Sequence, residues 1–296
     1  MRYFCSDDAR ARGDENYATA TRIDVWILVE FPHTWGRRPL IDAGLPEPVR
    51  AALTRALAEI PRTRIVFIRR RFEERSGCRV YIARSSPETW TISIDLPSID
   101  DVATLPFRAL AHGRPAREGE PEAMPIVLVC THGQRDSCCG RRGFPLYDAL
   151  RNQPELDVWQ CSHIGGDRFA ANAVVLPWGL YYGPVEPRDA GALADSVRRE
   201  EIYLDSFRGR SSLPRVVQAA ETFIRRNSGL LARDALHFVS RSPVDGKTVV
   251  QMRDDTARIH EVTLQTYVAT ESVLLTCTSE SPCPITQFRL SDYRAF

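Results

Sequence analysis

Cysteine and histidine are crowded into one part of the chain. Cys130, Cys138, Cys139 and Cys161 stand close together with His132 and His163 among them, while Cys5, Cys78, Cys277 and Cys283 are scattered. Thiolates and an imidazole suit zinc, copper(I) or an iron–sulfur cluster. The step from Cys130 to Cys139 is long for a zinc site, which usually pairs its cysteines at C-x2–4-C spacing. No C-x-x-C is present, so a thioredoxin-type dithiol is excluded. Adjacent Cys138 and Cys139 make a strained disulfide. Two other readings stay open on residue types alone. One is a cysteine-dependent enzyme in which a thiol works with His163. The other is a set of buried, inert thiols, since free cysteine is among the most buried residues.

Such residues need elements that bring them together. The apolar run Pro125–Cys130 predicts a buried strand, and Val158–Cys161 a second, short one. Each half of the cysteine–histidine stretch therefore begins at the C-terminal end of a strand, where binding loops gather in α/β sheets. A polar loop is expected from Thr131 to Gly143 and a short helix at Phe144–Arg151. Gly133, Gly140, Gly165 and Gly166 would let the backbone bend around a centre. Ala173–Pro177 and Leu180–Tyr182 predict a hairpin around Trp178-Gly179, followed by a helix at Asp189–Arg199.

Upstream, a polar lead precedes a strand at Asp24–Phe31. Apolar residues at Val49, Leu53, Leu57 and Ile60 give Pro46–Ile60 helical spacing. Strands follow at Arg64–Ile68, Cys78–Ala83 and Thr89–Leu96, and Arg108–Glu122 has a linker's composition. Downstream, a Gly/Ser-rich turn at Arg208–Ser212 leads to a helix at Leu213–Asn227. Alternating segments at Ala235–Arg241, Thr248–Met252, Ile259–Leu264 and Ser272–Cys277 predict antiparallel strands, with Asp245-Gly246 as a turn. No internal repeat is visible.

Composition excludes several classes. The chain has 296 residues, 43% hydrophobic and 26% charged, with a net charge of +1, enough for a sizeable core. No apolar run approaches the ~18–20 residues of a membrane helix. The N-terminus lacks a signal peptide's apolar stretch, so a cytoplasmic protein is expected. Lys247 is the only lysine, and arginine supplies the other positive charges. That excess does not amount to a nucleic-acid footprint. The acidic residues balance it, and the single basic run, Arg69–Arg71, is followed by Glu73-Glu74.

The motifs resemble those of the sucrase/ferredoxin-like family, whose members carry a thioredoxin-like [2Fe–2S] ferredoxin domain. The resemblance rests on Cys130–Gly133, Arg135-Asp136 and Cys138-Cys139. It continues through Ser162–Ala170, Leu176–Gly179 and Tyr182-Gly183, with Trp35-Gly36 and Val217–Ala220 fitting the outline. It spans most of the chain and is specific from Cys130 to Gly183. It implies an α/β fold with a thioredoxin-like ferredoxin domain at 121–205. It also implies an N-terminal α/β segment at 1–120, itself a thioredoxin-like half, with a C-terminal α+β segment at 206–296.

In characterised relatives two cysteines and two histidines hold the cluster. Cys130, Cys139 and His163 match three of these, but Asp167 stands at the second histidine's position. Cys161, two residues before His163, is the expected replacement, with Asp167 as the other possible metal ligand. An ion pair with Arg168 or Arg135 is the structural alternative for Asp167. The expected cofactor-binding set is therefore Cys130, Cys139, Cys161 and His163. His132 is expected beside the site, Cys138 as a spare, and Cys277 and Cys283 as structural. The implied function is one-electron transfer through a [2Fe–2S] cluster to an unidentified redox partner protein, with no nucleic acid and no membrane. The alternatives are a zinc-stabilised binding module and a cysteine-dependent redox enzyme. No carboxylate pair picks out a glycosidase site.

Overall fold

The computed structural model describes residues 3–70, 76–113, 120–121 and 124–296. Arg71, Glu73, Glu74 and much of the expected linker lie outside the described residues. The chain begins with α1 (Cys5–Arg12), where the sequence shows only a polar lead, because the helix buries Cys5, Ser6 and Ala9 against the rest of the protein. Next come β1 (Val25–Glu30), the one-turn α2 (Pro39–Asp42), α3 (Glu47–Glu59), β2 (Thr63–Arg69), β3 (Cys78–Arg84) and β4 (Trp90–Leu96). The linker-like stretch contains α4 (Phe107–His112) and β5 (Glu120–Pro121), which pairs with β4.

β1 and β2 pair in parallel across α3, and β3 and β4 add antiparallel on the other side of β1. Helix α3 buries Val49, Ala52, Leu53 and Ala56. Fully burying a side chain such as Leu53 contributes about 1.5–3 kcal/mol. Leu57, expected on that apolar stripe, is exposed instead.

The same order then recurs. β6 (Ile126–Cys130) runs parallel to β7 (Asp157–Cys161) across α5 (Ser137–Leu150), and β8 (Ala173–Leu176) and β9 (Leu180–Tyr182) add antiparallel beyond β6. α6 (Ala190–Arg198) follows. Each half thus has the strand–helix–strand–hairpin order of a thioredoxin-like arrangement, a repeat of topology that the sequence does not display. The halves meet where β2 pairs antiparallel with β7, at Ile68↔Cys161 and Arg69↔Gln160. A single sheet results, ordered β10-β9-β8-β6-β7-β2-β1-β3-β4-β5 among the described residues. Its edge strand β10 (Phe207–Arg210) occupies most of the segment expected to be a turn.

Helix α5 begins seven residues before the expected Phe144. Gly140, Gly143 and Pro145 lower its helix propensity, but packing and capping override them. Asp136 caps the helix, its Oδ1 accepting from the Cys138 N–H at 2.8 Å. Gly140 and Gly143 are packing glycines here, and neither bends the chain at a positive φ. A Cβ on Gly143 would lie 2.0 Å from the Cys130 carbonyl oxygen, and one on Gly140 would lie 2.9 Å from Gly133 Cα. The helix therefore presses directly onto the end of β6.

The C-terminal part packs α7 (Arg215–Ser228) on an antiparallel sheet of β11 (Leu236–Val244), β12 (Lys247–Asp254), β13 (Ile259–Val268) and β14 (Thr286–Ala295). The fourth strand is not the expected Ser272–Cys277. That segment lies in the long β13–β14 connection and makes one bridge, Val273↔Cys283. Gln218, buried on α7, donates to the carbonyls of Ala20, Arg210 and Leu213, tying this part to the main sheet.

Candidate metal centre

The register of the central strands brings the first two thiols together. Cys130 and Cys161 are partners at the ends of parallel β6 and β7, so their side chains leave the same face. Cys139 reaches them from the first turn of α5, which the glycine contacts hold against β6. His163 and Asp167 arrive on the loop after β7. That loop turns through Gly165 and Gly166 at φ 96° and 83°, conformations that favour glycine.

Donor atoms of Cys130, Cys139 and His163 all lie within 4.8 Å of one another. Cys161 packs in the same buried cluster but lies outside this group of three donors. Asp167 touches the other side of the group. Its Oδ1 accepts from the Cys139 thiol at 3.2 Å and lies 3.0 Å from His163 Nδ1. Neither Arg168 nor Arg135 takes up Asp167 as the ion-pair alternative required. Arg168 pairs with Asp14 at 2.7 Å instead.

Burial and charge shape this cluster. Cys130, Cys139, Cys161 and Asp167 are buried, and His163 alone is partly exposed. The neighbouring Cys139 and Cys161, with His163 adding, outweigh burial and hold the Cys130 thiol well below the usual range. Cys139 is raised by the neighbouring Cys130 and by burial, with the Asp167 carboxylate adding, and Cys161 chiefly by burial. Burial alone would lower His163, but Asp167 and Cys130 outweigh it, and the imidazole pKa rises to about 9. A metal ion must displace the proton that the free imidazole carries at neutral pH. Its buried Nδ1 faces Asp167 Oδ1 at ion-pair distance.

The surroundings fix the donors in place. His132 is buried. Its Nε2 lies 2.6 Å from the Gly36 carbonyl and its Nδ1 accepts from the His163 N–H at 3.2 Å, which makes Nε2 the protonated nitrogen. Trp35 packs edge-on against that ring. The Trp35-Gly36 loop of the first half thus steadies a ligand-bearing loop of the second. Three residues that sequence reasoning missed brace the same loop. Arg64 and Tyr181 donate to the Ile164 carbonyl at 2.7 and 3.3 Å. Arg208, fully buried, donates to Gly165 O and Asn172 Oδ1 at 3.1 and 2.7 Å. No local motif marks them, because they lie on other strands and meet the loop only in three dimensions. A pocket of about 280 Å³ opens onto His163, with Arg37, Arg38, Arg64 and Arg135 in its wall.

The remaining chemistry-bearing residues lie elsewhere. Cys138 faces away from Cys139, towards Cys5 and Cys277, and stays out of the Cys130–Cys139–His163 group. Cys277 meets Cys138, not Cys283, which is exposed. His260 is buried between Asp254 and Tyr293, and His237 lies by Asp255 on the surface.

A family model described as sucrase/ferredoxin-like matches residues 16–209. Altered inheritance of mitochondria protein 32 from Eremothecium gossypii is 32% identical over 110 residues, covering 32% of this chain and 35% of that protein. The protein of the same name from Meyerozyma guilliermondii is 32% identical over 96 residues, covering 28% and 34%. The alignments span about a third of these curated relatives. A thioredoxin-like [2Fe–2S] ferredoxin from Aquifex aeolicus aligns with a TM-score of 0.28 and 18% identity, over 31% of this chain and 97% of that chain.

Proposed function

Since the chain belongs to the sucrase/ferredoxin-like family, we propose that it is an electron carrier holding a [2Fe–2S] cluster through Cys130, Cys139, Cys161 and His163. The convergence of Cys130, Cys139 and His163 donor atoms within 4.8 Å of one another carries this reading. Sulfur and imidazole are the donors such a cluster takes. When bound, it supplies a reversible one-electron couple, and one histidine among the ligands raises its potential above an all-thiolate centre. The chain's own residues do the rest. Cys130 is already biased towards thiolate, and burial of the sulfurs keeps bulk water from them. His163 is the one donor residue that reaches the pocket, so electrons enter or leave on that side. The arginines in the pocket wall favour an acidic face on the redox partner.

Cys161 is the proposed fourth ligand because it is the register partner of Cys130 at the ends of β6 and β7, on the same face of the sheet. Asp167 then acts on the imidazole and the Cys139 thiol. Anaerobic purification with iron analysis and a visible spectrum tests the proposal. The expected result is about two irons per chain and thiolate-to-iron absorption. A colourless protein holding zinc at these residues, or a metal-free protein with a reactive thiol, would refute it. Cys161→Ala is expected to lose the bound iron, while Asp167→Asn keeps it. The reverse pattern would make Asp167 the ligand.

A further inference from the structure

A second group of thiols assembles on the other side of α5. Cys138 Sγ lies 3.2 Å from Cys277 Sγ and 3.7 Å from Cys5 Sγ, and the Cys277–Cys5 separation is 3.6 Å. An Asp136 carboxylate oxygen joins them, with all four donor atoms within 4.8 Å of one another. Three sulfurs around one tetrahedral zinc, each with a Zn–S bond of ~2.3 Å, stand about 3.8 Å apart. The observed triangle needs only a small expansion to admit the ion.

No local sequence pattern creates this group. Cys5 opens α1, Cys138 lies in the first turn of α5, and Cys277 lies in the β13–β14 connection. Cys5 and Cys277 are both outside residues 16–209, so the group is not part of the family motif. The ligand backbones themselves hold the carboxylate, since Asp136 accepts from the N–H groups of Cys138 and Cys277 at 2.8 and 2.6 Å. The Ser6 N–H points at Cys138 Sγ at 3.4 Å, a contact that favours the thiolate. Arg142 donates to Ser6 Oγ at 3.0 Å and pairs with Asp7, placing positive charge beside the negative donors.

We propose that Cys5, Cys138, Cys277 and Asp136 form a second metal site that binds one zinc ion. Three thiols give up their protons on binding, and the soft donor set selects zinc over calcium or magnesium. The site staples the N-terminal helix and the C-terminal connection to the start of α5, one residue before Cys139. It thereby positions a ligand of the first centre.

The test measures zinc and iron together on protein isolated from zinc-supplemented cells, comparing the wild type with Cys5→Ser/Cys277→Ser. About one zinc per wild-type chain is expected, falling at least tenfold in the variant. Iron content is read separately, and if zinc instead occupies the first centre the wild type holds about two zincs and the variant about one, so the two readings fail distinguishably. A second measurement uses the wild type alone. Cys5, Cys138 and Cys277 should resist alkylation until a zinc chelator is added, and then react together. Zinc that is absent from the wild type, or unchanged in the variant, overturns the site. So does a disulfide between any two of the three cysteines, or alkylation that is indifferent to the chelator.

Discussion

Gly143→Ala tests whether the pressure of α5 on β6 builds the metal centre. The added Cβ would lie 2.0 Å from the Cys130 carbonyl oxygen, 3.0 Å from its carbon and 3.3 Å from Thr131 Cα. These are backbone atoms and cannot rotate aside. An ordinary non-bonded separation is about 3.5 Å, so the helix must withdraw by roughly 1.5 Å. Overpacking of this kind costs about 1–3 kcal/mol, against about 1 kcal/mol gained by replacing a helical glycine. The larger consequence is for ligation. Metal–ligand distances tolerate about 0.2 Å, so a shift of that size takes Cys139 out of reach of a metal shared with Cys130. Gly191→Ala in α6 is the control, because nothing lies within 4 Å of its added Cβ. It is expected to stabilise by about 0.5–1 kcal/mol. The assay is denaturant unfolding together with iron content and the visible spectrum, on variants whose circular dichroism matches the wild type. If Gly143→Ala is stabilised like the control and retains full iron, the close approach of α5 to β6 does not position Cys139.

Arg208→Lys is expected to leave the fold intact but loosen the His163 loop, since one ammonium cannot reach Gly165 O, Asn172 Oδ1 and Thr19 together. Loss of such support typically costs about 10–100-fold in metal affinity, measurable as faster iron release to a chelator. Glu221→Gln should destabilise the chain by about 3–5 kcal/mol, because fully buried Arg225 loses its carboxylate. An equilibrium unfolding curve unchanged from the wild type would contradict that. The same pair predicts acid sensitivity. Burial would raise Glu221, but Arg210 and Arg225 outweigh it and hold its pKa below the ordinary value of 4.5. A carboxyl depressed on folding adds stability that is full above its unfolded pKa and lost as pH falls through its folded one. Wild-type stability should therefore drop below about pH 4 more steeply than that of Glu221→Gln.

The arginine excess acquires a structural meaning. Its distribution along the chain carries no message, yet Arg208 and Arg225 are among the largest fully buried side chains. Others lie over aromatic rings, as Arg69 does over Trp35 and Arg233 over Trp178. Planar guanidiniums with several donors can satisfy loop carbonyls from within a core, which an ammonium does less well.

The strands and helices marked by hydrophobic period were legible from the sequence, and so was the motif from Cys130 to Asp167. β1, α3, β6 and α7 each carry their own apolar pattern, and the motif residues sit at strand ends that the pattern locates. What depends on distant partners was not legible. α5 starts early because Asp136 caps it and two glycines let it touch β6, a contact that overrides weak local propensity. Asp167 faces His163 and Cys139 rather than an arginine because the loop turns it inward. The group of Cys5, Cys138 and Cys277 joins residues separated by 133, 139 and 272 positions. The sequence by itself determined which donors exist and which strands present them, since periodicity and spacing are local properties. Only the tertiary structure decided which donors meet, because side chains from separate elements converge through packing that no local pattern encodes.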